Sequence, residues 1–358
     1  MSPDMNDPLV LISIEGRAGR ITLNRPKALH ALTPEMCQIM IDALLAWRAD
    51  PAVEIVLIDH SGERGFCAGG DIRSLAESGY AQDDSAAAFF RVEYRLNHLI
   101  FSYPKPMVAL IDGIVMGGGV GVALPCRYRV ATERTTFAMP ETGIGLFPDV
   151  GCGWHLPRLP HHAGYWLGLT GARIKAADCR LLGVATHCAA SVQLEALKAD
   201  IIAAPDAVES LLDAVAFDAG SAAAEPHLAV MEKAFSQPTL ERVVEALQAG
   251  DDWSVAQAAA IAGKSSQSLR ITWRQLATGA AAKSFADHMA MEFRLATRVV
   301  RTHDFLQGVR AVILVKDNDP RWYPPALADL ADSAIDRFFA PLPPQDEWSP
   351  LSELEVTA

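Results

Sequence analysis

A strand, a glycine-rich turn and a helix follow one another twice in the first part of the sequence. In the first copy the apolar stretch 53–59 precedes CAGGD at 67–71, and in the second 107–111 precedes MGGGVG at 116–121. Short apolar runs of this kind predict buried strands, and Asp71 is a good N-cap for a helix. Because a strand joined to a helix is the building unit of α/β proteins, the repetition predicts an α/β fold.

The rest of the pattern predicts where this α/β part ends. The further predicted elements are a hairpin of 9–14 and 20–23, helices over 34–49 and 85–101, and strands over 128–132 and 136–139. After about residue 190, Ala, Leu, Glu and Gln recur at helical spacing, and 285–303 is the longest clear helix. We predict a core over 8–190 that holds the functional site, a helical region over 191–340 and a tail over 341–358.

The composition excludes several classes of partner. The 358 residues carry a formal net charge of −12, whereas nucleic acids and anionic membranes select basic surfaces. The apolar runs are far shorter than the ~20 residues that a membrane-spanning helix needs. Six scattered cysteines predict reduced thiols, and the acidic first residues argue against a signal or transit peptide. We expect a cytoplasmic protein whose partner is a small molecule.

The two glycine turns are candidates for binding an oxyanion. Each is expected to open a helix, where backbone N–H groups have no partner inside the helix and the dipole is positive. A tight turn with close helix packing is the structural alternative for either one. The G-x-G-x-x-G fingerprint fails at Val122, and the chain has no phosphate-loop, serine-hydrolase or zincin motif.

Three acids occupy positions where a carboxylate is unexpected. Glu93 lies on the same helical stripe as Phe89 and Leu96, a face that should be buried. Glu141 and Asp149 lie in MPETGIGLFPDVGCG, a segment that is otherwise apolar and rich in glycine. The alternatives to a catalytic role are a structural ion pair for Glu93, a bond to neighbouring backbone for Glu141 and, for Asp149, the cap of a helix that begins at Val150. An acyl-transfer site needs such carboxylates beside N–H donors.

Other reactive side chains have simpler explanations. Cys67 has no accompanying histidine in sequence, and small buried thiols are common, so packing is the expectation. His161 and His162 lack further ligands at metal spacing, which favours surface or helix-cap roles. No metal site is predicted.

Several motifs in a fixed order identify a family. They are NRPKAL at 24–29, FCAGGDI at 66–72, MGGG at 116–119 and MPETGIG at 139–145. Together they resemble the enoyl-CoA hydratase/isomerase (crotonase) superfamily. Further stretches resemble its 3-hydroxyisobutyryl-CoA hydrolase branch, notably FFRVEYRLN at 89–97, LFPDVG at 146–151 and PRWYP at 320–324.

The resemblance implies both a fold and an activity. The fold is a crotonase-like spiral of repeated β-β-α units with a helical C-terminal region. The activity is hydrolysis of a CoA thioester, with hydration or isomerisation of an enoyl-CoA as the alternative and non-catalytic acyl-CoA binding as a third hypothesis. No cofactor is implied, because CoA is part of the substrate, and a homo-oligomer remains open.

The resemblance also assigns residues. The backbone N–H groups of Gly70 and Gly118 match the oxyanion hole that binds the thioester carbonyl. The matching CoA-binding positions are Lys27, Ala31, Ala68, Gly70 and Ile72. The matching substrate-binding positions are Glu93, Gly118, Glu141 and Asp149, and Glu141 and Asp149 are also catalytic.

Departures from the family pattern bear on the reaction. Hydratases carry a first catalytic glutamate where this chain has Gly121, while Asp149 stands where they commonly carry a small residue. The carboxylates therefore suit hydrolysis better than addition of water to a double bond. Cys152 and the pair Trp154-His155 depart from the hydrolase branch beside the expected acyl pocket, so they bear on the acyl-group preference.

Overall fold

The structure is a computed structural model that describes residues 7–215 and 217–357. The first residues, on which the expectation of no targeting peptide depends, lie outside this range, as does Ala358 of the predicted tail. Within the described residues no helix is long and apolar enough to cross a bilayer.

The strands form a six-stranded sheet and a two-stranded sheet. They are β1 (Val10–Glu15), β2 (Ala18–Leu23), β3 (Ile55–His60), β4 (Met107–Ile111), β5 (Ile114–Met116), β6 (Tyr128–Ala131), β7 (Thr136–Ala138) and β8 (His187–Cys188). The large sheet has the order β1-β2-β3-β4-β6-β8, and β5 pairs with β7. Only β1 and β2 are antiparallel in the large sheet, joined by the predicted hairpin, and the other neighbours are parallel.

Sixteen α-helices are present among the described residues. They are α1 (Pro34–Arg48), α2 (Ile72–Ala81), α3 (Ser85–Phe101), α4 (Gly118–Ala123), α5 (Cys152–His155), α6 (Ala163–Thr170), α7 (Ala176–Leu181), α8 (Leu194–Ala203), α9 (Val208–Ala214), α10 (Leu228–Phe235), α11 (Leu240–Gln248), α12 (Asp252–Ala262), α13 (Ser266–Ala281), α14 (Phe285–Val299), α15 (His303–Val309) and α16 (Asp336–Phe339). The α/β class and the helical C-terminal region are as predicted.

The predicted helix over 285–303 is two helices. α14 ends at Val299, and α15 begins at His303 with Thr302 as its N-cap, where the threonine hydroxyl accepts the N–H of Phe305. A residue in extended conformation whose side chain caps the next helix ends the run that periodicity alone suggested. α13 is one residue longer than α14 and is the longer helix of the region.

The chain divides into two units, each built from three segments. The first contains the chain up to Gly70, Leu99–Phe137 and Ile174–Ala222, and the second contains Asp71–His98, Ala138–Arg173 and the chain from Ala223. This division follows contacts in space. The boundaries predicted at residues 190 and 340 instead follow changes in composition along the sequence, and they stay predictions.

The core of the first unit surrounds the large sheet. Ile55, Leu57, Val108 and Val130, on its central strands, are fully buried. Helices α8 and α9 add buried leucines to the same cluster. A parallel strand with both faces covered is expected to read as a continuous apolar run, which is why β3 and β4 were visible in the sequence.

In the second unit, arginines hold the C-terminal segment in place. From α3, Arg91 donates to the carbonyl oxygens of Asp346 and Glu347 at 2.7 and 2.8 Å. From α14, Arg294 pairs with the Glu347 carboxylate at 2.9 Å. Trp348 is buried and donates its indole N–H to the carbonyl of Arg91. The predicted tail is thus a docked part of the second unit.

Candidate functional site

The two glycine turns, both in the first unit, run side by side. Cys67 donates its N–H to the carbonyl of Ile114 at 3.0 Å and accepts the N–H of Met116 at 2.9 Å. A Cβ on Gly119 would lie 2.4 Å from the carbonyl oxygen of Cys67, so glycine is required for this approach. Cys67 itself is fully buried and its thiol contacts the carbonyl of His30, which agrees with the packing role.

The backbone at these turns uses conformations that favour glycine. Gly69 has φ of 118° and Gly117 has φ of 51°. A Cβ on Gly69 would lie 3.5 Å from the nitrogen of Gly118, so the two turns meet at that N–H. As the first residue of α4, Gly118 has no partner for its N–H inside the helix. The N–H is therefore in position to meet an oxygen of a ligand in the first unit.

The segment that carries Lys27 and Ala31 is attached to the first glycine turn. Ala68 donates its N–H to the carbonyl of Leu29, and Leu32 donates to the carbonyl of Gly69 at 2.8 Å. The structure thus brings Lys27, Ala31, Ala68, Gly70 and Gly118 into one part of the first unit. Ile72, the remaining predicted CoA-binding residue, is the first residue of α2 and belongs to the second unit.

His30 organises this segment, and sequence reasoning missed it. Its Nδ1 accepts the N–H of Arg25 at 3.0 Å, and its Nε2 donates to the carbonyl of Ser61 at 2.9 Å. Burial, together with the nearby His60 ring, lowers the pKa of His30 to about 4. A neutral imidazole with one donor and one acceptor nitrogen fits both bonds, so the histidine fixes the loop without adding charge.

The second unit gathers the three predicted acids. Glu93 comes from α3, Glu141 opens a short 3-10 turn ending at Ile144, and Asp149 follows Pro148 in the loop before α5. All three are almost fully buried. Oε1 of Glu93 and Oε2 of Glu141 have no hydrogen-bond partner among the described residues. Buried carboxyl oxygens without partners are costly, so they indicate a site that a ligand completes.

Close packing holds the turn that carries Glu141. Gly145 ends the turn with φ of 76°, and a Cβ there would lie 2.2 Å from the carbonyl oxygen of Asp304. Thr142 accepts the N–H of Ser265 with its carbonyl and donates its hydroxyl to the carbonyl of Leu169. The apolar and glycine-rich surroundings of Glu141 are therefore what fixes its backbone.

Asp149 does not cap a helix, so the structural alternative for it is wrong. α5 begins at Cys152 with Gly151 as its N-cap, and the Asp149 carboxylate accepts the hydroxyl of Tyr94 at 2.9 Å. The next residue, Val150, has φ of 54°, a left-handed conformation that is strained for a β-branched side chain. Such strain persists where the surrounding structure imposes it, which is typical of functional loops.

Glu292 imposes that loop conformation, and it too was missed. Its carboxylate accepts the N–H groups of Gly151 and Gly153 at 2.7 and 3.0 Å. It also accepts from Gln275 at 2.7 Å and from the His288 ring at 2.9 Å. Like Glu93, Glu292 is an acid on the buried stripe of a helix, and that signal in the sequence could have found it.

Burial and mutual repulsion perturb the acids. Burial and then Asp149 raise the pKa of both Glu93 and Glu141 well above the ordinary range of a glutamate. Burial and then the Glu292 carboxylate raise the pKa of Asp149 to about 7, while the hydrogen bond from Tyr94 opposes the shift. The structural ion pair proposed for Glu93 is wrong, because the charge next to it is another acid. With a pKa of about 7, Asp149 can exchange a proton near neutral pH, as general acid–base chemistry requires.

The neighbouring Cys152 is not a nucleophile in this setting. Burial and the charges of Glu292, Glu141 and Asp149 raise the pKa of its thiol well above the usual value. The thiol therefore stays protonated and acts as a small apolar group. All six cysteines are buried and none forms a disulfide, which agrees with the prediction of reduced thiols.

The other candidate features carry no chemistry of this kind. His162 occupies the N-cap position of α6 but makes no side-chain cap hydrogen bond, and His161 pairs with Glu232 at 2.9 Å on the surface, which agrees with a surface role. No cluster of His, Cys, Asp or Glu within the described ranges is arranged to hold a metal ion. A cavity of about 1100 Å³ in the second unit is lined by Arg91, Arg298 and Phe338, but by none of the three acids.

The chain is similar in sequence and in fold to known proteins. The family model described as enoyl-CoA hydratase/isomerase matches residues 18–339. The chain is 44% identical to "3-hydroxyisobutyryl-CoA hydrolase, mitochondrial" of Danio rerio, over 94% of this chain and 91% of that protein. A structure titled carnitinyl-CoA dehydratase from Mycobacterium thermoresistibile is 36% identical, with a TM-score of 0.89 over 94% of this chain and 98% of that one. A structure titled enoyl-CoA hydratase from Rhodobacter sphaeroides is 36% identical, with a TM-score of 0.84 over 96% of this chain and 100% of that one.

These likenesses confirm the predicted crotonase-like fold and correct one prediction. The curated relatives from Danio rerio, Gallus gallus and Homo sapiens are named as mitochondrial proteins, which contradicts the predicted cytoplasmic location and points to the mitochondrion. Because the family model matches most of the chain and the relatives align along nearly all of it, this chain belongs to the enoyl-CoA hydratase/isomerase family.

Proposed function

We propose that this chain hydrolyses the thioester of 3-hydroxyisobutyryl-CoA to 3-hydroxyisobutyrate and CoA, the reaction EC 3.1.2.4 of valine degradation. The observation that carries the proposal is the buried set of Glu93, Glu141 and Asp149 in the second unit, with unpartnered oxygens on both glutamates. The names of the relatives that align along nearly the whole chain support the same reaction.

Hydrolysis fits the chain better than hydration. In α4 the position of the first hydratase glutamate is Gly121, and every residue of that helix is glycine, valine or alanine. Addition of water to a double bond would lack one of its two acids. Asp149 instead adds a carboxyl that a thioester hydrolase can use.

We assign the two glycine turns to the thioester carbonyl. The N–H groups of Gly70 and Gly118 donate to its oxygen and stabilise the negative charge that develops there, which lowers the barrier by several kcal/mol. The segment with Lys27, Ala31 and Ala68, together with Ile72, is assigned to CoA. The reaction needs no cofactor and involves no nucleic acid or membrane.

Glu141 acts on the thioester carbon in one of two ways. As a nucleophile, its carboxylate forms a mixed anhydride, the C–S bond breaks, CoA leaves as a thiolate that takes up a proton, and water then cleaves the anhydride. As a general base, it takes a proton from water while that oxygen bonds to the carbon and the C–S bond breaks. Asp149 binds the acyl group or relays protons, and Glu93 orders the polar end of the acyl pocket.

A single turnover in heavy-oxygen water distinguishes the two routes. Label that enters the Glu141 carboxylate supports the anhydride, and label found only in the product acid supports direct attack by water. In either case Glu141→Gln should lower kcat on the order of 1000-fold or more. Glu245→Gln, which changes an exposed glutamate, is the matched control and should keep full activity.

The activity itself is tested by thiol release. We expect release of free CoA from 3-hydroxyisobutyryl-CoA and no hydration of crotonyl-CoA. Hydration without thiol release would support the second candidate, an enoyl-CoA hydratase or isomerase, which is favoured by the titles of the two similar structures. If neither reaction occurs, the proposal of this thioester hydrolysis is wrong.

The acyl preference is a separate part of the proposal. 3-Hydroxypropionyl-CoA lacks one methyl group of the proposed substrate, and a methyl group is worth only about 1–3 kcal/mol of discrimination. Cys152 lies next to the acids at a position where the hydrolase branch usually has glycine. We therefore choose Cys152→Gly as the first substitution. Ratios of kcat/KM for the two substrates in the native protein and in Cys152→Gly measure its contribution.

A further inference from the structure

Asn97 of α3 is fully buried, yet among the described residues its side-chain amide has no hydrogen-bond partner. Neither Oδ1 nor Nδ2 has a partner among the described residues, and the residue has 0% exposure. A buried polar atom without a partner costs about 1–3 kcal/mol, and an asparagine contributes both a donor and an acceptor to that cost. An amide retained under this penalty indicates a group that is bound when the site is occupied.

The helix points Asn97 toward the acids. Asn97 follows Glu93 by four residues and Tyr94 by three, and α3 is regular throughout. At roughly 100° per residue, its side chain projects between the directions of those two, one turn further along the helix. Both neighbours face Asp149, since Tyr94 donates to it and the charge of Asp149 raises the pKa of Glu93. Asn97 therefore lies on the same face as the acid cluster.

Asn97 brings a neutral side chain to this face of α3. Its Nδ2 donates hydrogen bonds and its Oδ1 accepts them. A carboxyl in the same place would add a fourth acid to Glu93, Glu141 and Asp149 and raise their pKa values further. The two amide atoms match an alcohol, because a hydroxyl donates one hydrogen bond and accepts others. The amide can hold a hydroxyl without changing the ionisation of the acids.

We propose that Asn97 binds the 3-hydroxyl of the acyl group and thereby selects hydroxyacyl thioesters over their deoxy analogues. The hydroxyl donates to Oδ1 and accepts from Nδ2, which satisfies both buried atoms. This inference rests on the proposed thioester hydrolysis and adds a specificity-determining residue to it. Asp149 is then left for proton transfer, for which its pKa of about 7 is suited.

The test compares two substrates that differ only at the hydroxyl, 3-hydroxyisobutyryl-CoA and isobutyryl-CoA. Asn97→Leu keeps the approximate size and removes both polar atoms. It should lower kcat/KM for the hydroxy substrate about 10- to 100-fold and leave that for isobutyryl-CoA unchanged or raised, because a lost hydrogen bond matters only where a hydroxyl is present. The control is Ser268→Ala, which removes a buried hydroxyl that also has no partner among the described residues of the second unit. It should change kcat/KM for neither substrate.

The outcomes separate this inference from the proposed function. If the native protein releases no thiol from 3-hydroxyisobutyryl-CoA, the proposed function fails. Alternatively, the native protein is active while Asn97→Leu keeps the preference for the hydroxy substrate, or loses activity equally on both substrates. Either result would show that Asn97 does not bind the 3-hydroxyl. Asn97→Ser, smaller and still polar, replaces Asn97→Leu if the leucine variant does not fold, and it should show a partial loss of the same preference.

Discussion

Tyr94 donates its hydroxyl proton to the carboxylate of Asp149 across 2.9 Å inside the second unit. Both side chains are buried, and burial, followed by the charges of the surrounding acids, raises the pKa of Tyr94 well above its usual value, so the phenol remains a donor. This bond opposes the raised pKa of Asp149, as does a backbone hydrogen bond to the same carboxylate. The bond from Tyr94 therefore favours the ionised form of Asp149, while the pKa values of the neighbouring Glu93 and Glu141 are raised.

Replacing Tyr94 with phenylalanine should therefore raise the pKa of Asp149 above about 7. Since less of the ionised form would exist at pH 7, we expect kcat/KM to fall roughly tenfold there and to recover in part at pH 9. A pH–rate profile measures the shift. Tyr323→Phe, at an exposed tyrosine, is the control. An unchanged profile in Tyr94→Phe would mean that the ionisation of Asp149 does not limit the reaction.

Asp149→Asn should stabilise the protein in a pH-dependent way. The pKa of Asp149 is about 7 in the folded protein, whereas an aspartate exposed in the unfolded chain has the ordinary value of 3.8. The folded state therefore holds the proton more tightly. The native protein consequently loses stability as the pH rises from about 4 through 7, by up to a few kcal/mol. The variant escapes this loss. Urea unfolding should show it more stable than the native protein at pH 8 and nearly equal at pH 4, and a difference independent of pH would contradict the assignment.

Glu292→Gln should destabilise the protein and also change the chemistry of the site. The carboxylate accepts from two backbone N–H groups, Gln275 and His288, and an amide cannot accept from all of them. We expect a loss of about 2–4 kcal/mol in the free energy of unfolding. Because a negative charge disappears, the pKa of Asp149 should fall, and the acid limb of the pH–rate profile should move to lower pH. The matched control is Glu232→Gln, which changes an exposed glutamate that pairs with His161, and it should have neither effect.

Features that depend on neighbouring residues were predicted from the sequence, whereas features that depend on distant contacts were not. Buried parallel strands, the Asp71 cap and the glycine turns each leave a pattern in neighbouring residues, and each is present. Glu93 was visible because it interrupts an apolar stripe. His30 and Glu292 act through partners far along the chain, or through backbone groups whose orientation only the fold defines. The interleaved units were not predictable either, since they depend on contacts between distant segments.

Gly119→Ala tests whether the first unit needs its glycine turns to be this close. In an ordinary helix, alanine is about 1 kcal/mol more favourable than glycine, so the substitution should stabilise α4. Here the added Cβ would lie 2.4 Å from the carbonyl oxygen of Cys67, and the two turns must separate. We expect a loss of about 1–3 kcal/mol in unfolding free energy and a lower kcat/KM, because the N–H of Gly118 moves with the turn. Gly263→Ala, whose nearest contact would be an ordinary 3.7 Å, is the matched control. Equal stability in both variants would show that the turns can separate without cost, and the close approach would then not explain why glycine stands at position 119.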